Sequence, residues 1–229
     1  MVGGQSTAGL KPHAVARLGA GRTFQNIRLF KDLSVLDNAA IALHQDSGAS
    51  WLEAFFRTPA FMAEEAWILE EARRALDWVG LGSRAHEPAR SLPYGDQRRL
   101  EIARALAAKP ACLLLDEPTA GMSAVEKAAM MELVRRIQGE LGTAILLIEH
   151  DMKVLMGLCD DVIVLDHGAT IARGTPGQVQ NDPEVIKAYL GDIEPQRHGV
   201  TASPDPGFIS TSPHLAVPAS VGQPTLGLT

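Results

Sequence analysis

Two uninterrupted apolar runs constrain the fold of this chain more than any other feature. Residues 111–115 have the sequence ACLLL, and residues 143–148 have the sequence TAILLI. Because apolar residues continue rather than alternate, each run predicts a strand covered on both faces, as in a parallel sheet with flanking helices. Helical spacing between the runs predicts a helix whose buried face carries Val125, Ala129, Leu133, Ile137 and Leu141. With this helix at residues 124–141, the segment forms a βαβ unit, and the predicted fold class is α/β.

Two further patterns predict secondary structure outside this unit. Residues 162–165 and 170–172 are apolar and flank a short polar segment, which predicts a hairpin with Gly168 in its turn. Residues 59–79 have the spacing of a long amphipathic helix, in which Glu and Arg side chains cover the solvent-exposed face.

Residues 194–229 differ from the rest of the chain. Pro, Gly, Ser and Thr make up half of them, and only Glu194, Arg197 and Asp205 carry charge. Such a segment buries too little apolar surface to offset the entropy lost on ordering. We therefore predict a disordered tail, and a role in partner binding stays open.

The composition bears on partners and compartment. The formal net charge of −6 makes the chain a poor electrostatic partner for nucleic acid, so no nucleic-acid partner is expected. The two cysteines, Cys112 and Cys159, lie in no Cys-x-x-Cys or Cys/His cluster, which indicates free thiols in a reducing compartment. No apolar run approaches the length of a membrane span, and no signal peptide is evident. A cytosolic, soluble protein is expected.

Two adjacent carboxylates end the first apolar run, in the sequence LLLDEP at residues 113–118. Successive side chains of a strand point in opposite directions, so Asp116 and Glu117 can serve different tasks. At the carboxyl end of a parallel strand, both would face the crevice where open α/β sheets bind ligands. Carboxylate oxygens suit a hard cation and also suit a general base, so both residues are candidates for a catalytic site.

The sequence LPYGDQ at residues 92–97 predicts a tight loop that opens a helix. A glycine at a helix entrance, here Gly95, lets backbone N–H groups approach an anion that the helix dipole favours. The side chains expected on the buried stripe of this helix are Leu100, Ala103, Leu106 and Ala107. Those expected to be exposed are Arg98, Arg99 and Glu101.

Four segments together resemble the ATP-binding subunit of ABC transporters. They are RTFQNIRLF at 22–30, LPYGDQRRLEIARAL at 92–106, LLLDEPTAGM at 113–122 and LLIEHDM at 146–152. Each alone is only moderately specific, whereas all four in this order and spacing are highly specific. The resemblance covers residues 1 to about 193. It implies a P-loop NTPase core of the RecA-like, ABC ATPase type with an inserted α-helical subdomain.

The resemblance also implies roles for single residues. Asp116 would hold Mg²⁺ largely through water, and Glu117 would activate the water that attacks the γ-phosphate of ATP. Gln25 resembles the Q-loop glutamine, which senses Mg²⁺ or water, and His150 resembles the switch histidine, which contacts the γ-phosphate. The implied cofactors are therefore ATP and Mg²⁺.

The loop at residues 92–97 resembles the ABC signature, which binds the γ-phosphate of ATP held by the opposite subunit. The implied binding residues are Pro93, Tyr94, Gly95, Asp96 and Gln97. Pro93, Tyr94 and Asp96 depart from the usual Leu-Ser-Gly-Gly-Gln, so one hydroxyl donor to phosphate is missing. The backbone donors around Gly95 remain, and relatives that handle branched-chain amino acids also carry a Tyr here.

The family holds ATP mainly with a P-loop, Gly-x-x-x-x-Gly-Lys-Ser/Thr, but this sequence contains no Gly-Lys dipeptide. We therefore expect an incomplete, N-terminally truncated core that lacks a P-loop strand beside the ACLLL strand. The expected division is a core remnant at 1–25, a helical subdomain at 26–97, the remaining core at 98–193 and the tail at 194–229.

The resemblance implies the ATP-hydrolysing motor subunit of an ABC importer. Segments such as RTPAF at residues 57–61 are similar to those of the branched-chain amino acid type. The implied partners are a second ATP-binding subunit, membrane permease subunits and, indirectly, a solute-binding protein. The chain would sit on the inner face of the plasma membrane. Alternatives are a catalytically silent half-site partner, a gene fragment or a urea or amide importer. The charge and the absence of sustained heptads disfavour a DNA-repair ATPase.

Overall fold

Three parallel strands form the central sheet of the computed structural model, which describes residues 1–46 and 55–190. Strand β2 (Cys112–Asp116) lies between β1 (Ala20–Arg22) and β3 (Ala144–Ile148). The side chains of Leu113 and Leu115 are almost fully buried. The structure confirms the parallel sheet predicted from the two apolar runs. The bounds of β2 and β3 lie within one residue of the bounds of those runs.

The placement of a missing P-loop strand beside the ACLLL strand was wrong, because β2 has a neighbour on each side. β2 is hydrogen-bonded to β1 on one side and to β3 on the other. The sequence pattern predicted neither β1 nor the helix at Pro12–Arg17 that precedes it. Within the described ranges β3 is a terminal strand of the sheet, and its Leu146 and Ile148 are 55% exposed.

Helices pack on this sheet and on one another. The bounds of the eight helices described are α1 Pro12–Arg17, α2 Val35–Ala40, α3 Pro59–Val79, α4 Tyr94–Ala107, α5 Ala124–Leu141, α6 Met152–Leu158, α7 Pro176–Gln180 and α8 Pro183–Leu190. Short 3₁₀ turns occur at Leu43–Asp46, Gly82–Arg84 and Ala89–Ser91. The main core joins α2, α3 and α4 to β2 and α5, and α3 has the bounds predicted from its spacing.

Helix α5 has the predicted bounds, but its buried face was only partly predicted. The buried residues are Met130, Leu133, Val134 and Ile137. Val125 is 80% exposed and Leu141 is 44% exposed, so their assignment to the core was wrong. A series with a spacing of four advances 400° per step and drifts about 40° around the helix each time, so its ends leave the core. The i, i+3, i+4, i+7 stripe stays on one face.

The predicted hairpin is present as β4 (Val162–Asp166) and β5 (Ala169–Gly174), which pair antiparallel. His167 and Gly168 form the two-residue turn with φ values of 47° and 82°. Positive φ at both positions is the requirement of a type I′ turn, which explains the glycine. The hairpin has a small core of its own with α7 and α8, containing Val162, Val179 and Val185.

The described residues belong to one compact unit, Met1–Asp192. The predicted tail at 194–229 lies outside the described residues, as do residues 47–54 of the predicted helical subdomain. No helix in the described part of the chain is long and apolar enough to cross a membrane.

Candidate functional site

Asp116 and Glu117 end strand β2 and turn towards the carboxyl edge of the sheet. The backbone N–H of Glu117 donates to the carbonyl of Ile148 at 2.9 Å, which extends the pairing of β2 with β3 by one residue. Glu117 has a φ of 45°, a left-handed conformation that costs a non-glycine residue about 1–2 kcal/mol. Both carboxylates keep about a quarter of their side-chain surface exposed. The turn therefore holds two accessible carboxylates at the edge where ligands enter.

Three predicted site residues meet at Glu117. Gln25 Nε2 donates to Glu117 Oε2 at 3.2 Å, and His150 Nδ1 lies 3.5 Å from Glu117 Oε1. The three side chains follow β1, β2 and β3 respectively, so the sheet order alone brings them to one point. His150 remains 70% exposed. One amide donor and one imidazole thus flank the two oxygens of a single carboxylate.

Asp116 has a different neighbour, as expected from strand alternation. Arg22 Nη2, at the end of β1, lies 3.5 Å from Asp116 Oδ2. Arg22 also lies over the ring of Phe24, 5.3 Å from its centroid. Sequence reasoning did not single out Arg22, although it lies three residues before Gln25 in the same motif, RTFQNIRLF.

Glu149 is another residue that sequence reasoning missed. Its Oε1 accepts from the backbone N–H and the hydroxyl of Thr119, at 3.1 and 2.6 Å. Thr119 is buried, and Glu149 directly precedes His150. The contact therefore fastens the loop after Glu117 to the loop that carries His150. The signal was available, since an acidic residue at the end of an apolar strand needs a partner.

The five predicted signature residues lie at the start of helix α4. Pro93 is its N-cap, and Tyr94 to Gln97 form its first turn rather than a preceding loop. Pro93, Gly95 and Asp96 line a pocket of about 250 Å³ with Arg99, Met122, Glu126 and Met130. Among the described residues, no hydrogen bond or ion pair joins Pro93–Gln97 to Glu117, so this signature turn is separate from the Glu117 cluster.

Two carboxylates shape the charge of the signature turn. Asp96 pairs with Arg84 at 2.9 Å and with Arg99 at 3.8 Å. Glu126 lies so close to Gly95 that a Cβ on that glycine would be 2.9 Å from Glu126 Oε1. Hydrogen bonds from Ser123 lower the pKa of Glu126, so this carboxylate is ionised at neutral pH.

The prediction that Arg98 and Glu101 are exposed was wrong. Their side chains are 5% and 1% exposed and form an ion pair at 3.3 Å. Burial raises the pKa of Glu101, while the N–H of Arg28 and the guanidinium of Arg98 act against that rise. Charged residues were assigned to solvent because their partners lie more than 70 positions away, outside any local pattern. The apolar stripe of α4 was predicted correctly, with Leu100, Ala103, Leu106 and Ala107 buried.

Comparisons with known proteins identify a family for this chain. A family model described as ABC transporter matches residues 3–120. A second, described as branched-chain amino acid ATP-binding cassette transporter, matches residues 169–194. The first match includes β1, the signature turn and β2 with both carboxylates, and the second includes β5.

Two curated relatives are similar over most of the chain. The high-affinity branched-chain amino acid transport ATP-binding protein BraF of Pseudomonas aeruginosa is 43% identical over 189 residues, which are 82% of this chain and 74% of the relative. The protein LivG of Escherichia coli, with the same description, is 42% identical over 188 residues, with the same two shares.

Solved structures have the same fold. An ATP-binding cassette of an ABC transporter in its ADP conformation matches with a TM-score of 0.65 and 27% identity, over 80% of this chain and 72% of that one. The cbiO1 protein from Clostridium perfringens, described as part of an ABC transporter complex, matches with a TM-score of 0.62 and 28% identity. This match covers 77% of the chain and just under two thirds, 66%, of cbiO1.

Proposed function

The chain belongs to the ABC transporter family of ATP-binding proteins, and from this membership we propose that it is the ATP-hydrolysing motor subunit of an importer for branched-chain amino acids. The observation that carries the proposal is the meeting of Gln25, Glu117 and His150 at the carboxyl edge of three adjacent parallel strands. The names of two similar proteins, BraF and LivG, support the solute class.

Glu117 is the proposed general base of ATP hydrolysis. A base must be accessible and must stay within hydrogen-bond reach of the water it deprotonates. The amide of Gln25 donates to one oxygen of Glu117, which fixes the carboxylate plane and leaves the other oxygen facing His150 and the crevice. The proton of the attacking water would pass to that second oxygen.

His150 is proposed to bind the γ-phosphate of ATP. Its 70% exposure leaves the imidazole free to swing from Glu117 towards a bound phosphate. An N–H donor at this place would stabilise the negative charge of the transferring phosphoryl group. The family places the same role on the histidine after the corresponding strand.

Asp116 and Gln25 are the proposed protein groups for Mg²⁺, largely through water. The residues fit this cation, since Asp116 offers an accessible carboxylate whose described side-chain partner, Arg22, is exposed and lies 3.5 Å away. Among residues 1–46 and 55–190, no group of three or more His, Cys, Asp or Glu could form a metal cage. A site with one carboxylate and one amide suits Mg²⁺, which takes few protein ligands and completes its shell with water and phosphate oxygens. The cation would neutralise phosphate charge when bound.

Helix α4 is proposed to present its first turn to ATP held by a second ATP-binding subunit. Within the described part of the chain no side chain caps the start of α4, so the helix dipole and the backbone N–H groups of Tyr94 and Gly95 favour an anion there. The acidic residues Asp96 and Glu126 oppose one, so Arg84 and Arg99 are needed to offset their charge. Residues 26–97 are the proposed helical subdomain that contacts the permease on the inner face of the plasma membrane.

A catalytically silent half-site partner is the second candidate, because the sequence contains no Gly-Lys dipeptide and hence no P-loop. In that case the signature turn would still close on ATP bound by an intact neighbour. The two candidates differ in whether hydrolysis depends on Glu117 of this chain.

The experiment is to tag the C-terminus of the protein in its own cells and purify the complex that carries the tag. The proposal predicts co-recovery of an integral membrane subunit and an ATPase activity that rises when binding protein and leucine, isoleucine or valine are added. An activity that rises with urea or an amide instead would reject the solute class. Recovery without a membrane subunit would reject the motor-subunit proposal.

A further inference from the structure

Two oppositely charged side chains are buried on one helix, which requires a reason. Arg98 and Glu101 lie on α4, and each is nearly inaccessible to solvent. Burying two charges costs several kcal/mol per ion unless geometry and additional hydrogen bonds satisfy both groups. We therefore expect the two charged side chains to make hydrogen bonds that a pair of apolar side chains could not make.

The buried pair holds the backbone of the segment that carries Gln25. Arg98 Nη1 donates to the carbonyl of Phe24 at 2.7 Å, and Arg98 Nη2 donates to the carbonyl of Gln25 itself. Glu101 Oε1 accepts from the backbone N–H of Arg28 at 2.8 Å. Residues 24–30 lie outside the described helices and strands, so side chains supply hydrogen bonds to their backbone, those of α4 at Phe24, Gln25 and Arg28 and that of Asn38 at Phe30.

Arg104 adds a third contact from the same helix. Its Nη1 donates to the carbonyl of Arg28 at 2.6 Å. The contacts from Arg98, Glu101 and Arg104 thus follow one face of α4 over two turns. Helix α4 therefore holds the irregular segment at Phe24, Gln25 and Arg28.

Tyr94 connects this arrangement to the signature turn. Its hydroxyl accepts from Arg98 Nε and Nη2 at 3.2 and 3.0 Å, and its ring lies 5.4 Å from the guanidinium. Tyr94 is itself in the first turn of α4 and is 43% exposed. A continuous set of contacts therefore runs from Tyr94 through Arg98 to Gln25. The side-chain amide of Gln25 in turn donates a hydrogen bond to Glu117.

We propose that Arg98 is a positioning residue that couples the signature turn to Gln25, so that a displacement of Tyr94 and α4 moves the amide that orients Glu117. This inference rests on the proposed function, because it assigns a regulatory input to the same hydrolytic site. A guanidinium suits the task, since its fork reaches two carbonyls and the phenol at once. The coupling would make hydrolysis sensitive to whether the signature turn has closed on nucleotide.

The first test measures hydrolysis by the tagged complex in a double-mutant cycle of Arg98→Gln and Gln25→Ala. We expect Arg98→Gln to lower kcat about tenfold and to leave KM for ATP within about twofold, because the residue does not touch ATP. In a Gln25→Ala background the same substitution should lower kcat by less than about twofold further, because Arg98 acts through Gln25. Full additivity of the two losses would overturn the coupling.

The second test does not depend on activity. Backbone amide exchange of Arg28, whose N–H donates to Glu101, should become at least about tenfold faster in Arg98→Gln, because Glu101 loses its buried partner and the segment loses the contacts of Arg98 with Phe24 and Gln25. The matched control is Arg136→Gln, an exposed arginine on α5 that pairs with Glu140 at 3.1 Å. Unchanged exchange in Arg98→Gln would contradict the proposal.

A conservative variant covers the case in which Arg98→Gln is not recovered. Arg98→Lys retains the buried charge beside Glu101 but cannot donate to two carbonyls and the phenol together. The same faster exchange is expected, and wild-type exchange would overturn the proposal. If Glu117→Gln leaves ATP hydrolysis intact, the proposed function fails, whereas the exchange measurement still decides the position of residues 24–30.

Discussion

Gln25 and Glu117 face each other across the carboxyl edge of the sheet, with Gln25 Nε2 3.2 Å from Glu117 Oε2. The two residues are 92 positions apart in the chain and are joined because β1 and β2 are neighbours. Among the described side chains, Glu117 is the hydrogen-bond partner of the Gln25 amide, so substitution of Gln25 removes this contact together with its proposed contact to Mg²⁺.

Replacement of Gln25 by Ala should lower kcat for ATP hydrolysis about tenfold, since a hydrogen bond to a charged group contributes about 1.5–3 kcal/mol. The KM for ATP should change little, because the amide orients Glu117 rather than binding nucleotide. Steady-state hydrolysis by the tagged complex measures both constants. Gln138→Ala, which removes an exposed amide beside Asp160, is the control. A loss confined to KM would argue against an orienting role.

Replacement of Asp116 by Asn should raise the Mg²⁺ concentration needed for half-maximal hydrolysis by about tenfold, because a hard cation prefers a carboxylate to an amide. The measurement is a Mg²⁺ titration at saturating ATP. Asp161→Asn, an exposed carboxylate on the hairpin side that pairs with Arg173, is the control. An unchanged Mg²⁺ requirement would remove Asp116 from the proposed site.

Replacement of Lys109 by Met should destabilise the fold by about 1 kcal/mol at neutral pH, because it removes the ion pair with the buried Glu71. The expected loss is small because Lys109 itself is largely exposed. Lys109 Nζ lies 2.7 Å from Glu71, and this hydrogen bond lowers the pKa of the Glu71 carboxyl from its usual 4.5. A lowered pKa stabilises the folded chain above the unfolded-state value and stops doing so as the pH falls through the folded-state value.

The difference in unfolding free energy between wild type and Lys109→Met should therefore be largest at neutral pH and shrink below about pH 4.5. Denaturant unfolding at several pH values measures it, with Lys11→Met as the exposed control. A difference that grows on acidification would have the wrong sign for this ion pair.

Two residues of the predicted face of α5 should respond differently to replacement by Ala. Ile137→Ala should destabilise the chain by about 2–5 kcal/mol, because Ile137 is fully buried. Val125→Ala should change the free energy of unfolding by less than about 0.5 kcal/mol, because Val125 is 80% exposed. Denaturant unfolding of both variants compares them directly, and similar losses would contradict the packing of α5.

The sequence predicted what depends on neighbours in the chain. The bounds of α3 and α5, the hairpin turn at Gly168 and the residues that end the strands follow from local spacing, caps and turn chemistry. Asp116 and Glu117 could be identified because they end a predicted strand of a parallel sheet, whereas Gln25 and His150 were identified by their resemblance to motifs of ABC transporter ATP-binding subunits.

The sequence did not predict what depends on distant partners. Glu101 looked solvent-exposed because nothing near it in the chain shows that the backbone of Arg28 needs an acceptor. Glu71 on the solvent-facing side of the predicted helix is likewise buried, since Lys109 reaches it from beyond α4. The neighbours of β2 were also misjudged, because strand order within a sheet is set by packing rather than by local pattern.

The central claim, that Glu117 is the base of a hydrolytic site, is tested most directly by Glu117→Gln in the tagged complex. A general base contributes about 10²–10⁴-fold, so hydrolysis should fall by at least about 100-fold while ATP still binds. Glu132→Gln, an exposed carboxylate on α5, is the matched control and should keep wild-type activity. If Glu117→Gln hydrolyses ATP within about twofold of wild type, Glu117 is not the base.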